Sequence, residues 1–187
     1  MIFEHTPIDL GYNDLKAKTS CGGRKYSTPK GDYPSITTIL GQRGKAAIIA
    51  WRNRIGHEEA NKISRQAAGR GTAVHTMCEK YVNNDPDYAK DAMPNILHDF
   101  KRIKHVLDTR IGKVYGQELA LYSDHLGVAG RVDCVAEFDG KLSIIDYKTG
   151  NVTAANLKVL DISFIAEEKY KTVKWQDYMS TFKGELN

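Results

Sequence analysis

Apolar and polar positions repeat with two different periods along this chain, and the change comes near Gly112. Ahead of it the spacing is helical. Between Pro94 and Arg110, Ile96, Leu97, Phe100, Ile103 and Leu107 form one stripe, which predicts a core-facing helix. Residues 45–82 read as mostly helical, with breaks expected near Gly56 and at the GRG of residues 69–71. Ser35 follows Pro34 and is placed to cap a short helix, ITTILG. Still earlier, SCGGRKYSTPKGDYPS is rich in Gly, Pro and Ser and predicts short strands joined by turns. Beyond Gly112 the period becomes two. Strands are expected at about 114–123, 128–138 and 141–148, then near 157–165 and 169–174. The tail WQDYMSTFKGEL reads as a final amphipathic helix. Helices first and a meander second predict an α+β fold, with a mostly antiparallel sheet flanked by helices. The expected organisation is one domain over 1–187, with strands and turns in 1–43, helices in 44–111 and the sheet in 112–187.

Composition narrows the function classes. A chain of 187 residues that is 41% hydrophobic and 27% charged is long enough for a real core. The net charge of +4 is unevenly placed: residues 1–80 hold thirteen Lys and Arg against seven Asp and Glu, the remainder fourteen against sixteen. A basic half suits an anionic partner such as nucleic acid. Cys21, Cys78 and Cys134 form no CxxC pair, which argues against a zinc finger or a cysteine-held cluster. The opening residues MIFEHTPIDLGYND have neither a secretory nor a transit-peptide pattern, and no apolar run approaches about 18 residues. The expected location is therefore cytoplasmic.

The chemistry concentrates in GVAGRVDCVAEFDGKLSIIDYKTG, residues 127–150. Asp139-Gly140 is a two-residue hairpin signal, because both central positions of the favoured turn need positive φ. That turn pairs Phe138 with Lys141 and carries Asp133 opposite Asp146, with side chains about 5 Å apart. Two carboxylates held so close destabilise the fold unless a proton or cation lies between them. Mg²⁺ is suited to such a place, since it takes oxygen ligands and is often held by one or two carboxylates. Strand alternation puts Lys148 on the same face, within reach of a metal-bound water or a phosphate. A four-residue turn at 124–127 would bring Glu118 opposite Asp133 as a third carboxylate, whereas a slip of one residue sends it to the other face. In GRGTAVHTMCEKYV, Val74, Met77, Cys78 and Tyr81 form a core stripe and His75 and Glu79 sit four apart on a neighbouring face. His75 either contacts Glu79 or reaches the carboxylates as a further ligand, in which case Mn²⁺ is also a match.

These pieces resemble the PD-(D/E)xK nuclease superfamily, in its RecB-type branch. The resemblance rests on GTAVHTMCEKY, QELALYSDHLGVAGRVD and LSIIDYKTG in that order. RKYSTPKGDYPSITTIL resembles the segment ahead of the core in exonucleases of the mitochondrial genome maintenance type and their phage relatives. The resemblance covers about residues 20–150. It implies a restriction-endonuclease-like core and a Mg²⁺- or Mn²⁺-dependent DNA exonuclease that prefers single-stranded ends. The short chain and the missing transit-peptide pattern suggest a bacterial or phage-infected cell as the setting. Carried onto this chain, Asp133, Asp146 and the Tyr147 carbonyl bind metal, and Lys148 orients or activates the attacking water. His75 matches the family's motif histidine and Glu118 its acidic residue before the hairpin. Gly69, Arg70 and Gly71, at the expected start of the His75 helix, would meet a phosphate, as would Ser35, Thr37 and Thr38. Arg131 is either a DNA contact or structural. Tyr26, Tyr33 and Trp51 are candidates for stacking on bases.

The chain departs from the family after Lys148. A helix carrying a Gln and a Tyr usually follows the D-x-K strand, but here only the eight residues TGNVTAAN precede LKVLDISFI. Gln176 and Tyr178, two positions apart, are a poor replacement. A parallel crossover needs a dozen or more residues, so the next strand is open to antiparallel pairing. Two other readings stand beside the exonuclease: a flap-cutting, structure-specific endonuclease, and a DNA-binding module that has lost turnover.

Overall fold

A computed structural model describes residues 1–149 and, as backbone, the strand at 157–161. Three short strands open the fold: β1 (Ala17–Ser20), β2 (Gly23–Thr28) and β3 (Gly31–Pro34), paired antiparallel in that order. Gly23 and Gly31 take positive φ (99° and 135°), which is what the turn-rich composition of this segment required.

Helix α1 (Ile36–Ile55) begins after Ser35, whose backbone is extended. It corrects the expectation of a short ITTILG helix. Gly41 and Gly44 cost about 1 kcal/mol each inside a helix, yet the run AAIIAW beyond them carries the helix on to Gly56. There φ is +88° and the helix stops, as expected. Helix α2 (His57–Val82) then runs unbroken through Gly69-Arg70-Gly71. The expected break is absent because Val74, Met77, Cys78, Tyr81 and Val82 anchor its second half in the core. Two glycines do not outweigh that burial.

Helix α3 (Pro94–Arg110) has Pro at its first turn and buries Ile96, Phe100, Ile103 and Leu107. The chain passes straight into β4 (Ile111–Ser123), three residues earlier than the periodicity indicated, through irregular pairing between Ile111 and Gly116. Strands β5 (Val128–Phe138), β6 (Lys141–Tyr147) and β7 (Leu157–Asp161) complete an antiparallel sheet in the order β4-β5-β6-β7. β7 pairs antiparallel with β6, Asp146 opposite Lys158, so the short segment after Lys148 makes no parallel crossover onto β6. The remainder of the expected 157–165 strand, the strand at 169–174 and the tail helix with Gln176 and Tyr178 lie outside the described residues.

The main core lies between α2, α3 and the sheet, with Leu107, Val114, Cys134 and Ile145 at 0% exposure. A smaller cluster of Leu15, Tyr26, Ala120 and Ala129 joins the small sheet to the large one, helped by a bridge from Ser35 to Ala129. The fold is α+β. Among the described residues no helix is long and apolar enough to cross a membrane.

Candidate active site

The hairpin places the chemistry. Asp139 and Gly140 both have positive φ, 53° and 74°, the geometry that favours Asp-Gly in a two-residue turn. Phe138 faces Lys141, and pairing continues to Cys134 opposite Ile145. One step further along the same register sets Asp133 across from Asp146. On the other side of β5, Leu119 faces Val132 and Gln117 faces Cys134, so Glu118 is level with Asp133. Glu118 has φ of +53°, a left-handed backbone that is costly for a non-glycine residue and concentrates at functional sites. All three residues therefore stand at one level of the sheet.

Helix α2 closes over them. His75 Nδ1 lies 3.3 Å from Asp133 Oδ2, and the same oxygen accepts the Tyr147 backbone N–H at 2.6 Å. The His75 ring meets the Tyr147 ring edge-on at 5.8 Å. Its partner is thus the sheet carboxylate, not Glu79 on its own helix. Lys148 Nζ holds both oxygens of Asp146, at 2.7 and 2.6 Å. Helix α2 also comes near the residue after Lys148: a Cβ on Gly71 would stand 3.5 Å from Thr149 Oγ1, an ordinary van der Waals contact.

The protonation behaviour follows from this geometry. Burial works to raise Asp133, but His75 and the Tyr147 N–H outweigh it and hold the carboxyl below its ordinary value. Asp146 is pushed up, first by burial and also by Asp133, with which its carboxyl is in hydrogen-bonding range. Burial raises Glu118 too, reinforced by Asp133 and Glu79. His75 is raised chiefly by its bond to Asp133. Burial lifts the Cys134 thiol to about 12, which keeps it protonated behind the site.

A cation between the two carboxyls would favour the charged form of both. As the side chains stand, no three His, Cys, Asp or Glu groups among the described residues converge as a metal would require. The converging set is the pair Asp133–Asp146. Two carboxylates suit a hard divalent ion that keeps several waters, so Asp133 and Asp146, with His75 and Glu118 adjacent, are the residues that would hold Mg²⁺ or Mn²⁺.

The expected DNA contacts are dispersed. Gly69 and Gly71 are corrected: they lie inside α2, so their N–H groups serve the helix and no helix N-terminus is available for a phosphate. Arg70 pairs with Asp99 of α3 at 3.7 Å. Arg131 donates to both Asp14 oxygens at 2.7 Å and to the Glu118 carbonyl, tying the N-terminal segment to β4. Ser35 is 2% exposed and bonded to Thr37 at 2.8 Å, and Thr38 accepts the Arg24 N–H at 3.1 Å. Tyr26 is corrected as well, since at 2% exposure it is core and has no face for a base. Tyr33 donates to Asp124 at 2.8 Å, and Trp51 is half-buried on α1.

Sequence reasoning missed two supports. Gln117 donates to the Glu79 carbonyl and to Asn83, fastening β4 to α2 beside Glu118. Glu79 itself acts on Glu118, and its spacing of four from His75 was the signal available for it.

No known protein-family profile matches the chain. It is similar to proteins named mitochondrial genome maintenance exonuclease 1. Identity is 28% to that of Xenopus tropicalis over 76% of this chain and 43% of the relative. To that of Mus musculus it is 26% over 67% of this chain and 39% of the relative. To that of Homo sapiens it is 27% over 62% of this chain and 36% of the relative. The chain thus spans less than half the length of these exonucleases, while most of it aligns with them.

Proposed function

We propose that this protein is a metal-dependent deoxyribonuclease of the PD-(D/E)xK type, an exonuclease that prefers single-stranded DNA ends. The observation that carries the proposal is the meeting of Asp133, Asp146 and Lys148 on one sheet face beneath His75. Similarity to proteins named exonucleases supports it. A basic, acid-free helix α1, with Arg43, Lys45, Arg52 and Arg54, supports an anionic substrate.

In this reading Asp133, Asp146 and the Tyr147 carbonyl would hold Mg²⁺ or Mn²⁺. The bound ion supplies Lewis acidity and a water of lowered pKa. The chain's own residues do the rest. His75 and the Tyr147 N–H fix the orientation of Asp133. Lys148, once released from Asp146, donates to phosphate oxygens as negative charge builds there. Water adds at phosphorus, one P–O bond breaks, and the leaving oxygen takes up a proton.

A second reading is favoured by one observation. β7 lies antiparallel on β6 after a connection too short for the family's helix with its Gln and Tyr, which suits a DNA-binding module without turnover. End-labelled linear and circular single-stranded DNA, incubated with Mg²⁺, Mn²⁺ or EDTA, separates the readings. The exonuclease shortens the linear strand in either metal and leaves the circle intact. Cutting of the circle signals an endonuclease, and retention of DNA without cleavage in any metal signals the binding module.

A further inference from the structure

Glu118 stands in the middle of β4 with a left-handed backbone, φ +53°, where a strand residue is ordinarily extended. On either side of it the pairing with β5 keeps one register, Gln117 facing Cys134 and Leu119 facing Val132. The strain is therefore confined to a single residue. That residue is half-buried, level with Asp133, and its carboxyl feels the charges of Asp133, Glu79 and His75.

A non-glycine backbone in this region persists only where its surroundings over-determine it, and two clamps flank Glu118. Ahead of it, the Gln117 side chain donates to the Glu79 carbonyl at 3.2 Å and to Asn83 Oδ1 at 2.8 Å, both at the C-terminal end of α2. On β5, the Arg131 guanidinium donates to the carbonyl of Glu118 itself. Arg131 is in turn fixed by both carboxylate oxygens of Asp14, each at 2.7 Å. Its two terminal nitrogens are thus committed within the chain, and gripping a phosphate with both would require releasing these contacts.

We propose that Arg131 is a positioning residue of the metal site. Through the Glu118 carbonyl it holds that residue left-handed, and so aims the Glu118 carboxylate at the place where Asp133 and Asp146 would hold the ion. The inference rests on the nuclease reading and goes beyond it, since it gives Arg131 a duty other than contact with DNA. Lys cannot take over that duty. Its single ammonium is a point charge, whereas the planar guanidinium reaches a carbonyl with one nitrogen and a carboxylate with the other.

The test measures Mn²⁺ affinity by titration calorimetry without DNA, so it does not depend on turnover. Wild type, Arg131→Lys, Glu118→Gln and the double variant form a cycle, and thermal unfolding checks the fold of each. Asp14→Ala, at an exposed position, loosens the same contact and serves if Arg131→Lys does not fold. Arg131→Lys and Glu118→Gln are each expected to weaken Mn²⁺ binding about ten-fold or more. Asp14→Ala weakens it in the same direction, and Arg131→Lys adds nothing once Glu118→Gln is present. Losses that add in the double variant overturn the proposal, because Arg131 then does not act through Glu118. So does an Arg131→Lys protein that binds Mn²⁺ as wild type does, or, if that variant does not fold, unchanged binding by Asp14→Ala. Wild type that binds no Mn²⁺ overturns the nuclease reading and this proposal together, which keeps the two failures distinct.

Discussion

Asp133 is the residue on which the site turns, because it takes the Tyr147 N–H, the His75 ring and the neighbourhood of Asp146 at once. Replacing His75 by Gln removes an orienting partner while keeping a polar group, and the expected loss in metal affinity or turnover is about 10–100-fold. Manganese titration followed by calorimetry reads the first, single-turnover cleavage the second. Lys148 has a different duty, and Lys148→Ala is expected to lower the cleavage rate about 10²–10³-fold with little change in unfolding midpoint. Away from the site, Asp108 offers a test of the same electrostatic logic. Burial works to raise its carboxyl, but Lys104 and Tyr81 outweigh that and hold it below its ordinary value. A carboxyl lowered on folding stabilises the fold at pH above its unfolded value, and that contribution disappears as pH falls through the folded one. Urea unfolding of wild type and Asp108→Asn between pH 7 and pH 3 should therefore show a stability gap that narrows toward the acid end.

At the scale of elements, the hairpin was legible and the glycine-bearing helices were not. Asp139-Gly140 announces both its turn and its register, since few other dipeptides accept two positive φ values in succession. From that register the pairing of Asp133 with Asp146 follows by counting, whereas the place of Glu118 depended on a separate turn at 124–127 whose length the sequence left open. Helix α3 was read to its ends because its stripe is strictly periodic and Pro94 marks its start. Gly69 and Gly71 misled, as local propensity predicts a break where the buried stripe from Val74 onward holds α2 straight. Strand β4 starts early for a related reason: Ile111 and Val114 are core residues interrupted by an irregular pairing that a period of two cannot register. The continuity of α2 makes a prediction. A Cβ at Gly69 meets nothing within 4 Å, so Gly69→Ala should stabilise by about 0.5–1 kcal/mol. Thermal unfolding should then rise by about 2–4 °C at most, and a fall would contradict a helix running through this position.

Across the whole molecule, one core holds α2 against the sheet and so keeps His75 over the carboxylates, with Leu107 and Val114 fully buried between them. Helix α1 buries no residue of its own and carries basic side chains without an acidic one, which leaves it available to a polyanion. Single-strand binding should accordingly weaken steeply as salt rises. The match to exonucleases covers most of this chain and less than half of theirs, so the claim must stand on what this chain does by itself. The most direct measurement is the digestion of end-labelled linear single-stranded DNA by wild type, Asp146→Asn and Lys148→Ala in Mg²⁺ or Mn²⁺. The account predicts progressive shortening by wild type, abolished by EDTA and absent or reduced at least 100-fold in both variants. Cleavage that persists in Asp146→Asn at the wild-type rate would contradict it, and would place the hydrolytic centre elsewhere.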